Sequence, residues 1–290
     1  MAAAGLGVNL SGDQCSAFDF DAPWGAHRVD GLAGAVLWVA QRLPAWASPL
    51  ARLLRRPVKL FRSRPVDLRA WGFKLRLAAR GNMSEQKLWS SPGRFDARER
   101  AALRRVLHPG AVFVDIGANA GIYSFWAAHC MAGSGHVVAV EPDPEMRRRM
   151  EWNITANGLG CFTVVGCALS DQEGEIPLLV DAGQRGRNTV DRAQAEAEGG
   201  ERRELRVRCR TLLGLAKDLG LERITALKID IEGHESVVLA PFLEQAPVHL
   251  LPAMIVIELK HDGDGGLQRL LQGAGYRASI LTPLNVVFVR

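Results

Sequence analysis

The chain has few cysteines, no cysteine pair at metal-ligand spacing and no apolar run long enough to cross a bilayer. Its five cysteines, Cys15, Cys130, Cys161, Cys167 and Cys209, are odd in number, lack CxxC spacing and mostly sit in apolar runs. That points away from a zinc ribbon or a disulfide framework and toward buried free thiols in a reducing compartment. The run GLAGAVLWVA (31–40) stops after ten residues at Gln41 and Arg42, about half of what a membrane span needs. A secretory leader is also not expected. Asp13, Asp19 and Asp21 precede the first apolar run, where a leader would set basic residues directly before an apolar core. A cytoplasmic protein is expected.

Positive charge is not spread evenly. The 290 residues are 48% hydrophobic and 23% charged, with a formal net charge of +5. Residues 1–110 hold 18 Lys and Arg against 8 Asp and Glu, a net of +10, and residues 111–290 hold 18 against 23, a net of −5. A domain that neutralises many phosphates carries basic side chains around its groove, so nucleic acid is not an expected partner of the main domain. The length suits one large domain with an N-terminal appendage.

Residues 1–30 lack periodicity and read as a loose tail. Residues 31–62 read as amphipathic helix, with Leu32, Val36, Val39 and Leu43 at helical spacing, a break at Pro44, and then LARLLRRPVKLFRSR. The ordinary reading is a helical cap whose arginines form a solvated face, and the functional one is peripheral contact with an anionic membrane. This divides the chain into an extension over residues 1–67 and a domain over 68–290. LRAWGFKLRL (68–77) alternates as a strand or hairpin, and Asp96 stands as the N-cap of a helix over 96–107. Strands then alternate with helices: strand 111–117, helix 120–132, strand 136–141, helix 143–157, strand 161–169. A hairpin-like stretch around Pro177 and a polar segment over 183–201, read as a mobile loop, follow. Strand 204–209, helix 211–219, strand 224–230, a helix from about 234, strand 253–258, helix 266–273 and strands 276–281 and 285–289 complete the chain. Buried apolar strands separated by helices predict an α/β fold with a doubly wound, mostly parallel sheet, ending in an antiparallel hairpin.

Such a sheet binds ligands beyond the carboxyl ends of its strands. The first strand ends VDIGANAG, placing Asp115, Gly117, Asn119 and Gly121 at the turn. Gly117 admits a positive φ and a close backbone approach, and Gly121 lets the next helix lie close to the strand. The dinucleotide fingerprint is incomplete, because Asn119 stands where its second glycine belongs and nothing supplies the third. A pyrophosphate needs that bare backbone, which disfavours a nicotinamide-dependent oxidoreductase. Glu141 ends the second strand twenty residues after Gly121, where a carboxylate can accept from both ribose hydroxyls of an adenosine. Ribose recognition without a pyrophosphate cradle points to S-adenosylmethionine.

VFVDIGANAGIYSFWAA, VVAVEPDPEMRRRMEWNITANG, CALSDQEGE and LKIDIEGHESVVL, in this order and spacing, resemble the FkbM family of S-adenosylmethionine-dependent methyltransferases over about residues 82–290. The resemblance implies a Rossmann-like methyltransferase fold and methyl transfer, typically to a hydroxyl of a secondary metabolite or saccharide. It matches Asp115, Gly117, Asn119 and Glu141 to the cofactor-binding motifs, and Ala168, Leu169 and Ser170 to the segment that flanks the adenine. The family often has an acid after Thr-Leu before the helix preceding LKIDIEGHE, and TLLGL (211–215) lacks it.

In this fold the ends of the strands carrying LKIDIEGHE (227–235) and Glu258 face the transferred methyl. Period-two alternation sets Lys228, Asp230 and Glu232 on one side, with Lys228 paired to Asp230 or to Glu258. Asp230 and His234 are the candidates for deprotonating the acceptor, and Glu258 is expected to orient it or partner Lys228. Asn188, in the polar loop, is a candidate acceptor contact if that loop is a lid. A divalent ion between Asp230 and Glu258 lacks a firmly placed third ligand, so the metal stays unassigned. The competing non-enzymatic reading is a domain that binds S-adenosylmethionine only to regulate a partner.

Overall fold

A computed structural model describes residues 18–43, 48–61, 63–181, 183–259, 265–282 and 284–290. Cys15 and Pro44 lie outside them. Two helices, α1 (Gly31–Arg42) and α2 (Ser48–Phe61), precede a hairpin of β1 (Val66–Ala70) and β2 (Phe73–Leu77). The expected hairpin is therefore present, and the boundary placed between residues 67 and 68 falls inside β1. Next come α3 (Met83–Ser90), α4 (Ala97–Val106), β3 (Val112–Ile116), α5 (Ile122–Cys130), β4 (His136–Val140), α6 (Pro144–Ala156) and β5 (Phe162–Val165). The chain continues through β6 (Ala168–Leu169), β7 (Gly174–Asp181), α7 (Arg192–Glu198), β8 (Arg202–Arg210), α8 (Leu212–Asp218), β9 (Ala226–Ile229) and α9 (Glu235–Gln245). It closes with β10 (Met254–Glu258), α10 (Gly266–Gly273), β11 (Arg277–Leu281) and β12 (Asn285–Val289).

Seven strands form the central sheet in the order β11-β12-β10-β9-β3-β4-β5. The pairs β3–β4, β4–β5, β3–β9 and β9–β10 are parallel, and β12 runs antiparallel to both β10 and β11. The expected doubly wound sheet and closing hairpin are thus observed. Its strands read as apolar runs because both faces are covered: Phe113, Val137 and Val256 pack on one face with α4 and α5, while Val114, Val138 and Ile255 pack on the other with α8, α9 and α10. From β3 the chain winds outward to β4 and β5, then returns to β9 on the other side of β3. The reversal opens a crevice between the ends of β3 and β9, where such sheets bind ligands.

Three expectations are corrected. The strand read over 161–169 breaks after Val165, and β6 joins β8 and β7 in a separate three-stranded sheet of order β6-β8-β7. That pairing joins segments some forty residues apart, which local periodicity does not register. Residues 18–30 of the expected tail are ordered, because Arg76 is fully buried and spends its donors there. Its guanidinium pairs with Asp67 at 2.8 and 2.9 Å and donates to the carbonyls of Asp19, Ala22 and Pro23, while Trp152 donates to the Phe20 carbonyl. The segment over 183–201 is built rather than open: it holds a 3-10 turn at Arg185–Arg187, a bridge from Thr189 to Leu179, and α7. The four described cysteines are free, two of them buried and two half-buried.

Candidate active site

The crevice holds a cavity of about 350 Å³ bounded by the ends of β3, β4, β9 and β10, the first turn of α3, and the segment 184–190. On one side the β3 turn hooks over β4, with the Gly117 and Ala118 N–H groups both donating to the Val140 carbonyl. Gly117 has φ +70°, and a Cβ there would stand 2.1 Å from the Asp230 carbonyl oxygen. What demands glycine is therefore the crossing of two backbones, β3 turn over β9 end. Gly121 (φ +80°) makes room for Met150 of α6, whose sulfur would lie 2.7 Å from a Cβ, so it serves helix packing against α6 and does not line the cavity. Asn119 adopts the left-handed region (φ 54°), which asparagine tolerates without a glycine. Its side chain bonds Asn82 and the Ala120 N–H.

Glu141 lines the cavity at the end of β4 and is almost fully buried. Its two oxygens accept from the Asn119 N–H at 2.7 Å and the Asp143 N–H at 2.8 Å. Burial, reinforced by the neighbouring Asp143 carboxylate, pushes its carboxyl up to about 8 against those two hydrogen bonds. Asp115, at the end of β3, accepts from the Ser124 hydroxyl at 2.6 Å through one oxygen, while its other oxygen is buried without a partner. Burial raises its pKa, partly offset by Lys228 and Ser124.

The segment 184–190 is strapped across this end. Arg185 reaches Asp143 at 2.9 Å, Asn188 donates to the same carboxylate at 2.8 Å, and Thr189 donates to the Glu232 carbonyl at 3.1 Å. Asn188 so acts as a tie of the strap as well as a cavity residue. Ala168 and Leu169 line the cavity; Ser170 does not.

The other end carries the charged strand. Lys228 is buried and bonds Asp230 at 3.0 Å, with its ammonium 5.0 Å from the centre of the Tyr123 ring. Burial works against its charge, but Asp230, Asp115 and Glu258 together hold its pKa up. Burial likewise would raise Asp230, and the Lys228 ammonium, with hydrogen bonds from Lys228 and Glu258, more than offsets it and holds the acid below its ordinary value. Asp230, Glu232 and Glu258 each offer an oxygen within 4.8 Å of the others. The Lys228 ammonium already supplies positive charge there, and acidic groups of this kind are common without an ion. The turn after β9 is strained at Glu232 (φ 52°) and is held by Glu235, whose carboxylate accepts from the Ile231 N–H at 2.9 Å. His234 turns away: its Nε2 lies 2.9 Å from the Ser170 hydroxyl and it does not line the cavity. Burial lowers its pKa, against Asp171 and Asp191.

Three further side chains face the same end: Lys87, Asp96 and Tyr123. Asp96 does precede α4, but its side chain makes no capping bond and its backbone is left-handed (φ 36°). Instead its carboxylate accepts from the Tyr123 hydroxyl at 2.9 Å. A forgone cap costs about 1 kcal/mol and a left-handed non-glycine about 1–2 kcal/mol. Burial raises the Asp96 carboxyl, against the Tyr123 hydrogen bond, and the Tyr123 phenol is held well above its usual value by burial and by Asp96. The cap residue is thus diverted into the cavity at this cost.

Residues 115–278, more than half of the chain, match the Methyltransferase FkbM domain. The chain belongs to the FkbM methyltransferase family. A 222-residue alignment is 32% identical to the AMB antimetabolite synthetase AmbE of Pseudomonas aeruginosa, covering 60% of this chain and 10% of that protein. This FkbM chain thus spans about a tenth of the length of that relative. Among solved structures, Methyltransferase FkbM from Methylobacillus flagellatus KT is 15% identical with a TM-score of 0.43, covering 86% of this chain and 62% of that one. TYW2 of M. jannaschii, solved in complex with AdoMet, is 14% identical with a TM-score of 0.38, covering 78% and 86%.

The FkbM cofactor, S-adenosylmethionine, fits the residues present. The unpartnered Asp115 oxygen is an acceptor suited to its ammonium. The FkbM cavity brings together eleven of the fourteen residues expected from sequence and leaves out Gly121, Ser170 and His234. It adds Lys87, Asp96 and Tyr123, of which only Asp96 carried a sequence signal, and that signal named a different role.

Proposed function

We propose that this cavity transfers a methyl group from S-adenosylmethionine to a hydroxyl of a small-molecule metabolite or saccharide. The observation that carries the reading is Asp96, a strained carboxyl that forgoes its cap, is raised by burial and lines the acceptor end. When bound, S-adenosylmethionine supplies an electrophilic methyl on a positively charged sulfur. A hydroxyl acceptor must lose its proton as it attacks, and a base works best when its pKa approaches the operating pH. Asp96 meets that need better than Asp230, whose pKa Lys228 lowers. Asp96 therefore takes the proton, and Tyr123 holds its carboxylate in place. Asp230, kept ionised by Lys228, accepts a hydrogen bond from the acceptor and fixes its direction, while Glu258 shares a hydrogen bond with Asp230. At the other end Glu141 receives the ribose hydroxyls and Asp115 the ammonium.

Polar groups from Lys87, Tyr123 and Asn285 at the acceptor end suit a polyhydroxylated ligand. Similarity to a segment of an antimetabolite synthetase supports a small-molecule acceptor. The test is transfer of labelled methyl from S-adenosylmethionine to a panel of hydroxylated metabolites and saccharides, each paired with its deoxy analogue, with bulk RNA as a further arm. Label in the hydroxylated compounds but not their deoxy partners is expected. Label that persists in the deoxy analogues, or enters RNA alone, would overturn the reading.

A further inference from the structure

The helices of the N-terminal extension leave much of their apolar surface uncovered. In α1 half of the stripe that helical spacing marks as apolar points to solvent, with Leu32 83% and Val39 44% exposed, and Trp38 beside them 57% exposed, while Val36 and Leu43 are half-buried. The buried side is carried by Leu37 and Ala40. In α2, Leu50 and Leu53 are 50% and 65% exposed, whereas Ala51 and Arg55 are buried, with Arg55 donating to the Ser90 carbonyl. Single exposed leucines need no explanation. Here, however, five of the nine large hydrophobic side chains exposed among the described residues fall within positions 32–53. A surface helix that only caps a core buries its apolar stripe and exposes its arginines, whereas these two leave large apolar side chains exposed beside their arginines.

Charge completes the pattern. Residues 31–66 contain seven Lys and Arg (Arg42, Arg52, Arg55, Arg56, Lys59, Arg62 and Arg64) and no Asp or Glu. Arg52 and Arg56 are exposed beside Leu50 and Leu53, and Arg42 stacks on the Trp38 ring at 4.0 Å. Leucines to enter an apolar layer, a tryptophan for its edge and arginines for anionic headgroups are the parts of an interfacial helix. At 12 and 14 residues neither helix is long enough to span, and no described helix is long and apolar enough to cross a membrane. We propose that α1 and α2 seat this methyltransferase on the surface of an anionic lipid bilayer, their outward leucines and Trp38 in the headgroup layer and their arginines on lipid phosphates. The helices hold the catalytic domain through the Arg55 bond and through Gln41, which donates to the Trp89 carbonyl. Both bonds end on α3, whose first turn lines the cavity.

Sedimentation of the full chain with vesicles of phosphatidylcholine alone, or of phosphatidylcholine mixed with phosphatidylglycerol, tests this. The chain should pellet with the anionic vesicles and be released by salt as the charges are screened. The exposed pair Arg52→Gln and Arg56→Gln should weaken the partition about thirtyfold, about fivefold per arginine. Trp38→Ser with Leu53→Ser should abolish it while leaving the melting temperature and S-adenosylmethionine binding at wild-type values, since neither side chain is buried. Failure to pellet with anionic vesicles at low salt would overturn the proposal, as would variants that bind like wild type. Self-association in sedimentation velocity that disappears in Trp38→Ser with Leu53→Ser, without vesicle binding, would make the face a protein interface and overturn it as well.

Discussion

Glu141 gives the proposed cofactor site a measurable dependence on pH. Its carboxyl is pushed up to about 8 by burial and by Asp143, so in the free protein roughly one tenth is ionised at pH 7, a cost near 1.4 kcal/mol. Ribose hydroxyls donate hydrogen bonds, which favours the ionised form. Binding therefore draws a proton off Glu141. If only the carboxylate binds, affinity for an adenosine ribose should tighten about fiftyfold from pH 6 to pH 8 and level off above it, with roughly nine-tenths of a proton released per ligand at pH 7. Methylthioadenosine is the suitable probe, because it carries the ribose without the amine of the full cofactor. Titration calorimetry in two buffers of different ionisation enthalpy reads both quantities, and Glu141→Gln should remove the pH dependence. Equal affinity at pH 6 and pH 8 without proton release would refute the reasoning. Stability runs the opposite way with pH. Because the folded value lies above the ordinary 4.5, the stabilisation from Glu141 is fully present below about pH 4.5 and is lost as pH rises through about 8.

Gly117→Ala forces a Cβ to 2.1 Å from the Asp230 carbonyl at φ +70°. Left-handed strain of about 1–2 kcal/mol and overpacking of about 1–3 kcal/mol together predict a loss of about 2–5 kcal/mol in chemical denaturation. Gly110→Ala, at φ +82° but with its nearest neighbour 4.0 Å away, should lose only the strain. Lys228→Met leaves Asp115 and Asp230 without their ammonium. Breaking a buried pair costs about 3–5 kcal/mol; Asp230 is partly exposed to the cavity, so about 2–3 kcal/mol is expected at neutral pH. Since Lys228 holds Asp230 below its ordinary value, that difference should shrink as pH falls through the carboxylate range, and a difference independent of pH would contradict the pairing.

The sheet was readable because its strands are buried on both faces and its helices recur between them, a pattern carried by neighbouring residues. The β3 turn and Glu141 were readable for the same reason, their spacing being local. What escaped depends on contacts between distant segments. The eight residues of α3 are too few for a periodic signal, and its start is marked only by Asn82, whose side chain caps the Ser84 and Glu85 N–H groups. Tyr123 lies in an apolar helix and reads as core until Asp96 is seen beside it. Asp96 reads correctly as the residue before α4 and wrongly as its cap, since only the fold shows that its carboxylate turns to Tyr123. The polar strap over 184–190 reads as mobile because its stability comes from Asp143 and Glu232, both far from it in sequence. The N-terminal stripe was visible as periodicity, but which side it faced was not.

Turnover by Asp96→Asn tests the central claim most directly. Measured with a hydroxylated acceptor found in the labelled-methyl panel, alongside S-adenosylmethionine affinity for both proteins, it separates proton transfer from cofactor binding. The asparagine keeps the shape and can accept the Tyr123 hydroxyl, but it cannot take a proton. A kcat lower by about a hundredfold or more, with cofactor affinity close to wild type, is predicted. An Asp96→Asn protein that transfers methyl at the wild-type rate would contradict the account.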